Sequence, residues 1–395
     1  MAASSKPLGP MVCVVGARPN YMKMGPLMRA FASRSELPRA VLVHTGQHYD
    51  VAMNERLFAD LALPAPSLNL EVGSGTHALQ TAEIMRRFEP VLDELQPSCV
   101  IVVGDVNSTL ACSLVAAKKR IAIVHVEAGL RSFDREMPEE INRVLTDQIA
   151  DVLYTTERAA TANLLREGIS PERIRFVGNV MIDSVIEHRA RALPPDLTLA
   201  RAGVAAPLGG TAGYGVVTLH RPSNVDDADA LRDALHLLHD VAERLPLVWP
   251  LHPRARNNIE RFGLSPILAA SSITLLPPQG YLEMLGLLMH ARLVLTDSGG
   301  IQEETTALSV PCLTMRENTE RPITVEQGTN TLIARDPARA RDCVDTILGS
   351  GGKRGRMPEL WDGRAAERIA EDLIGWLGLA DSTAKTAAHS EKVLL

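Results

Sequence analysis

The sequence predicts an α/β protein made of two Rossmann-like, doubly wound domains facing a central cleft. Three observations carry this reading. Short apolar, β-branched runs alternate with longer helix-like stretches, the grammar of βαβ units. Each run ends on Gly or a polar residue, as strands of a parallel sheet buried on both faces do. The pattern then stops and restarts around residues 190–213, a stretch of Pro, Gly and Ala with no clear period that reads as loop. At 395 residues the chain also exceeds the roughly 250–300 residues at which a single core stops growing.

The elements follow in order. Met11–Val15 is the first strand; Gly16 follows it, and an amphipathic helix runs from about Lys23 to Ser33. Ala40–His44, Val100–Val103, Ile121–Val126, Val152–Thr155 and Ile174–Val177 are the next strands. The second set is Gly215–Leu219, Leu245–Pro250, Ile273–Leu276, Arg292–Thr296 and Pro311–Met315. Arg364–Leu379 carries Ile369, Leu373, Trp376 and Leu377 at helical spacing, and 380–395 reads as a frayed tail. The expected domains are 10–182, completed by the helix at 364–379, and 183–363.

Composition narrows the function. Lys plus Arg is 41 against 47 Asp plus Glu, a net charge of −6, which argues against a nucleic-acid partner held by bulk charge. Cys13, Cys99, Cys112, Cys312 and Cys343 are scattered with no CxxC pair, so reduced, mostly buried thiols are expected and no zinc site or disulfide framework. The polar N-terminus has no signal-peptide core and no run of about 18 apolar residues occurs, so a cytoplasmic protein without a membrane partner is expected.

In doubly wound sheets ligands sit at the carboxyl ends of the strands. The strongest local signal there is Thr296-Asp297-Ser298-Gly299-Gly300-Ile301-Gln302-Glu303-Glu304. A strand ends, two residues without side chains follow, and a helix start offers N–H groups and about half a positive charge to an anion. A tight turn with Ser298 as helix cap is the plainer alternative. Arg316 and Arg321 follow one strand later; guanidinium forks suit phosphate oxygens, and a surface ion pair is the plainer alternative. Gly16-Ala17-Arg18-Pro19-Asn20-Tyr21-Met22-Lys23 has neither a GxGxxG nor a GK[ST] signature, but Arg18 and Lys23 lie at a strand end. Val72-Gly73-Ser74-Gly75 reads as a loop. Asp105, Glu127, Glu139 and Glu140 place several carboxylates on one expected sheet edge, the raw material of acid–base chemistry. His220 and His252 end consecutive strands of the second set. His125-Val126-Glu127 has the HxE of zinc deaminases, but Pro311-Cys312 lacks the second cysteine of PCxxC, so no metal is expected.

Taken together, GARPNYMKMGPL, TGQHYD, VVGDVNSTL, HVEAGLRS, MPEEINRVLTD, VGNVMIDS, TLHRPSNVD, LHPR, LTDSGGIQEE and RENTERPITVEQGTN resemble the non-hydrolysing UDP-N-acetylglucosamine 2-epimerases, from about residue 11 to 377. The resemblance implies a glycosyltransferase-B-like fold, a homodimer, no cofactor and no metal. It implies interconversion of UDP-N-acetylglucosamine and UDP-N-acetylmannosamine, in service of cell-surface polysaccharide precursors. By the same resemblance the catalytic positions fall on Asp105, Glu127, Glu139 and His220, with Arg143 a motif arginine. The nucleotide contacts fall on Arg18, Lys23, Gln279, Tyr281, Ser298, Gly299, Gly300, Glu304 and Arg321, with Glu304 holding the ribose hydroxyls.

The chain departs from the family pattern in two places. It has His220-Arg221-Pro222-Ser223 where many bacterial members carry HRRE, and Gln47-His48-Tyr49-Asp50 with Met53-Asn54 where many continue differently. In members activated by a second substrate molecule such stretches contribute to the activator site, and the same changes could accompany a diacetamido uronic acid sugar nucleotide. A hydrolysing 2-epimerase, a glycosyltransferase of the same fold and a non-catalytic sugar-nucleotide sensor are the other readings.

Overall fold

The computed structural model describes residues 8–46, 57–204 and 213–379. The Gln47–Asp50 stretch, Met53, Asn54 and the tail from 380 lie outside the described residues. Contacts divide the chain into one unit of Met1–Ser184 with Glu359–Leu395 and a second of Val185–Pro358.

The first unit has a seven-stranded sheet. Its strands are β1 (Met11–Val15), β2 (Ala40–His44), β3 (Leu68–Asn69), β4 (Cys99–Val103), β5 (Ala122–Ala128), β6 (Val152–Thr155) and β7 (Ile174–Phe176). The order is β3-β2-β1-β4-β5-β6-β7 and every pairing is parallel. The strands read as unbroken apolar runs because both faces are covered. Val12, Val14, Val41, Val43, Val100 and Val102 pack with Ile84 and Phe88 of the helix His77–Leu95 and with Ala111, Cys112 and Val115 of the helix Asn107–Lys118.

The helix Ala365–Trp376 belongs to this first unit. Asp183 accepts the Ala365 and Ala366 backbone N–H groups at 3.2 and 2.7 Å, Trp361 Nε1 donates to the Thr156 carbonyl at 3.1 Å, and the Tyr154 hydroxyl donates to Asp372 at 2.8 Å.

The second unit repeats the plan with β8 (Gly215–Thr218), β9 (Leu247–Pro250), β10 (Ile273–Leu276), β11 (Leu293–Thr296), β12 (Cys312–Thr314) and β13 (Asn330–Leu332). The order is β10-β9-β8-β11-β12-β13, again all parallel. Alternation splits its apolar residues between the faces. Val217, Trp249, Leu293 and Leu295 meet Leu231, Leu235 and Leu238 of the helix Ala228–Ala242, while Val216, Val248 and Val294 meet Leu287 and Leu288 of the helix Tyr281–Met289. In each sheet the strand order reverses between the first strand and its fourth, the place where this architecture leaves a crevice at the carboxyl edge.

Four local expectations are corrected. The first helix begins at Arg18, not near Lys23, because Pro19 suits the first turn and Asn20 takes the Gly16 and Ala17 N–H groups. The stretch 190–213 is not all loop, since Pro195–Arg201 is helical, opened by its proline. Strand β5 does not stop at Val126 but continues through Glu127 to Ala128, across an irregularity in its pairing with β6. The short strands β3 and β13 were not expected; runs of two and three residues show no readable alternation.

Candidate active site

In the first unit the carboxyl ends of β1, β4 and β5 form one polar shelf. Asn20 builds its floor, accepting N–H groups from Gly16 and Ala17 at 3.1 Å and donating to the Val103 carbonyl at 3.1 Å. Glu127 sits at the end of β5 with φ +71°, a left-handed conformation that costs a non-glycine residue about 1 kcal/mol or more. That conformation is held where the carboxylate pairs with Lys23, both side chains buried. Gly104, at the end of β4, has φ +66°, and a Cβ there would lie 3.0 Å from Lys23 Nζ. Lys23 is therefore enclosed beside Glu127.

Asp105 follows Gly104 and pairs with Arg143 of the helix Pro138–Ile149. Arg143 also donates from Nε and Nη2 to Glu140 Oε2 at 3.0 and 2.6 Å. Glu140 accepts in addition the Ser132 and Phe133 N–H groups, both at 2.9 Å. Burial alone would raise the Glu140 carboxyl, but the Ser132 N–H and the Arg143 guanidinium bring it below the usual carboxylate range. Glu139, one residue earlier and half-buried, shows no hydrogen bond or ion pair for its carboxylate among the described residues. Arg18 opens the first helix at the end of β1. His125 has a different job: its Nδ1 meets Asp147 at 2.7 Å and its Nε2 the Gly104 carbonyl at 2.8 Å, so both ring nitrogens are taken.

In the second unit β8 and β11 run side by side, with Thr218 opposite Thr296. This register brings His220 and Asp297 together just beyond the strands. His220 Nδ1 lies 2.9 Å from Asp297, whose buried carboxylate also accepts the His220 and Arg221 backbone N–H groups and the Asn224 amide. Burial pushes Asp297 up, yet the His220 ring and these donors hold it below its ordinary value. An aspartate on Nδ1 fixes the ring and leaves Nε2 free to exchange a proton. His252 is a helix cap, accepting the Arg254 N–H at 3.2 Å.

Ser298, Gly299 and Gly300 start the helix Gly299–Leu308, and the Ser298 side chain makes no capping bond. The cap alternative thus does not describe its hydroxyl. A Cβ on Gly299 would lie 2.4 Å from Arg321 Nη1 and 2.5 Å from Glu320 Oε1, so only glycine lets the guanidinium sit on the helix start. Arg321 is oriented by Glu303 at 3.0 Å and Glu320 at 2.5 Å, and Arg316 reaches Glu320 at 2.7 Å. A buried cation on a helix N-terminus is an anion seat. Glu304 is fully buried beside Glu303 and the Tyr281 hydroxyl, and burial followed by the Glu303 charge raises its carboxyl to about 8. Gln279 is half-buried in the segment before Tyr281, its amide donating to the Pro277 carbonyl at 2.7 Å.

The family model for UDP-N-acetylglucosamine 2-epimerase matches residues 31–374. The chain belongs to the UDP-N-acetylglucosamine 2-epimerase family. Among similar proteins of this family, the UDP-N-acetylglucosamine 2-epimerase of Methanococcus maripaludis is 40% identical over 340 residues, 85% of this chain and 91% of that one. The UDP-2,3-diacetamido-2,3-dideoxy-D-glucuronate 2-epimerase of Pseudomonas aeruginosa is 39% identical over 371 residues, 92% of this chain and 99% of that one. The crystal structure of the Methanocaldococcus jannaschii UDP-GlcNAc 2-epimerase in complex with UDP-GlcNAc and UDP is similar with a TM-score of 0.85 and 39% identity, covering 92% of this chain and 99% of that one. The two parallel-sheet units are accordingly glycosyltransferase-B-like.

Three polar residues that sequence reasoning left out of the epimerase site are structurally prominent. Asp297 stands in the LTDSGG stretch, yet only the β8–β11 register ties it to His220. Glu320 joins Arg316 and Arg321, and Glu140 joins Arg143 with the Ser132 loop. The i, i+3 spacing of Glu140 and Arg143 was a signal available in the sequence.

Proposed function

We propose that this chain interconverts UDP-N-acetylglucosamine and UDP-N-acetylmannosamine by inverting C2. The observation that carries the proposal is the pair of carboxylates at the sheet edge of the first unit, Asp105 on Arg143 and Glu127 on Lys23, in a chain of this family. The C2 hydrogen is too weakly acidic for simple removal. A carboxylate takes that proton while the C1–O bond breaks and UDP leaves with the bonding pair. The products are 2-acetamidoglucal and UDP. UDP then adds back to C1 as a second acid delivers a proton to the opposite face of C2. The scheme is redox-neutral and needs no hydride carrier.

In this reading Asp105, Glu127, Glu139 and His220 are the proton-handling groups. Arg18, Lys23, Arg143, Gln279, Tyr281, Ser298, Gly299, Gly300, Glu304 and Arg321 bind the substrate. The three carboxylates belong to a domain of residues 10–182 completed by 364–379, and the diphosphate seat to 183–363. His220, held by Asp297, comes from the second domain. The Ser298–Gly300 helix start and Arg321 stabilise the departing diphosphate. Lys23 is enclosed beside Glu127, so its first effect is on that carboxylate.

Proton NMR in D₂O with UDP-N-acetylglucosamine alone tests the proposal. UDP-N-acetylmannosamine with deuterium at C2 of both sugars is the expected result. Free N-acetylmannosamine would instead identify a hydrolysing enzyme, and product formed only with an acceptor a transferase. The 39% identity to the Pseudomonas aeruginosa diacetamido uronate epimerase favours one second reading. Exchange and epimerisation of that sugar nucleotide, with none of UDP-N-acetylglucosamine, would establish it. We further propose a cytoplasmic homodimer that supplies cell-surface polysaccharide precursors; light scattering on the purified protein reads the dimer. Among the described residues no helix is long and apolar enough to cross a membrane.

A further inference from the structure

The Arg143 guanidinium is shared by two carboxylates. Its Nη1 side goes to Asp105, and its Nε and Nη2 go to Glu140 at 3.0 and 2.6 Å. Arg143 and Glu140 are buried, at 2% and 3% exposure, whereas the Asp105 side chain keeps 23% of its surface open. The inner carboxylate is fixed further by the Ser132 N–H at 2.9 Å, the Ser132 hydroxyl at 3.0 Å and the Phe133 N–H at 2.9 Å. Five donors on one buried carboxylate leave it no second position. Asp105 is tied from its other side, its backbone carbonyl accepting the Asn142 amide at 2.9 Å.

We propose that Glu140 is a positioning residue of the reaction, taking one side of the Arg143 guanidinium so that Asp105 meets a cation already half neutralised. This rests on the epimerase reading for its catalytic consequence. Without a negative Glu140, the whole Arg143 charge would fall on Asp105. Asp105 would then hold its proton less readily and be a poorer base. With Glu140 in place the trio carries one net negative charge, so Asp105 keeps more of its basicity while Arg143 stays put. A residue that merely anchored the loop at Ser132 and Phe133 would affect stability but not the proton affinity of Asp105.

The test compares Glu140→Gln, Glu140→Asp and Ser132→Ala with the unchanged protein. For Glu140→Gln the limb of the kcat/KM–pH profile that Asp105→Asn abolishes is expected to move about one pH unit lower, with rates at neutral pH falling roughly tenfold or more. Glu140→Asp restores the charge and should return the limb most of the way. Ser132→Ala loosens the loop but keeps the charge, and its limb should stay in place. A Glu140→Gln protein of native melting temperature with an unmoved limb overturns the proposal. A second readout does not need turnover. In protein labelled with ¹³C at aspartate Cγ, the resonance missing in Asp105→Asn should titrate about one unit lower in Glu140→Gln. If the unchanged enzyme exchanges deuterium into neither sugar nucleotide, the functional reading fails, and the carboxyl titration alone decides the role of Glu140. If Glu140→Gln does not fold, the same titration in Glu140→Asp and Ser132→Ala decides it. A position in Glu140→Asp further from the unchanged protein than in Ser132→Ala supports charge sharing, and the reverse order overturns it.

Discussion

Glu304 offers a direct physical test of the second unit. Its carboxyl is fully buried, stands beside Glu303, and is raised from 4.5 to about 8. The fold therefore holds the neutral acid. The sign follows from proton linkage: the folded chain binds the Glu304 proton more tightly than the unfolded chain does. Its stabilising contribution is complete below about pH 4.5 and is lost as pH rises to about 8. At about 1.4 kcal/mol per pH unit the ceiling of that loss is about 5 kcal/mol. Relaxation and water entry would bring the observed value to about 2–3 kcal/mol, on the scale of measured buried-group penalties. Glu304→Gln mimics the neutral acid at every pH. Urea unfolding of both proteins from pH 5 to pH 8.5 should show the variant gaining on the unchanged chain as pH rises, with most of the gain between pH 5 and 8. If the two stability curves run parallel, Glu304 is ionised in the fold and the reasoning about its burial is wrong. Isothermal titration with UDP at pH 6.5 and 9 adds the functional side. Affinity should fall at the higher pH in the unchanged protein, where a charge appears beneath the nucleotide seat, and much less in Glu304→Gln.

Three further outcomes are expected. Asp105→Asn, Glu127→Gln and Glu139→Gln should each lower turnover by roughly 10²–10⁴ with folding intact by circular dichroism, and near-normal turnover in any one removes that residue from the proton-transfer steps. Gly299→Ala should weaken UDP binding at least about tenfold in titration calorimetry, because its Cβ would displace Arg321; unchanged affinity would refute that seat. Asp183→Ala should cost about 1–2 kcal/mol in urea unfolding, since it removes two N–H acceptors at the start of the helix Ala365–Trp376, whereas a difference within error would show that the cap contributes nothing.

Much of the architecture was readable because burial on both sheet faces writes itself as apolar runs. Met11–Val15, Ala40–His44, Val152–Thr155 and Ile273–Leu276 have the bounds that their composition suggests. The exceptions are positions where local pattern is not the controlling force. Glu127 looks like the residue after a strand, but tertiary pairing carries β5 past it in a conformation that its side chain type disfavours. Glu139 and Glu140 are indistinguishable as letters. About 100° of helical turn separates them, and only the packed helix shows that the second is the buried partner of Arg143. Asp297 and His220 lie 77 residues apart, so their meeting depends on which strands are neighbours rather than on any motif. Glycine was the most legible of the site residues, since Gly299 marks a place where another side chain takes up the room a Cβ would need.

The helix Ala365–Trp376 carries a consequence for how the protein is made. A ribosome delivers the first unit's sheet early, but the helix that Asp183 caps and Tyr154 grips arrives only after the whole of 185–358 has been synthesised. Until then the nascent first unit exposes apolar surface that Ile369 and Leu373 are later buried against. The second unit is contiguous and can fold while the first waits, so the order of completion inverts the order of translation. Premature termination anywhere before about residue 370 would thus damage the unit encoded at the opposite end of the message.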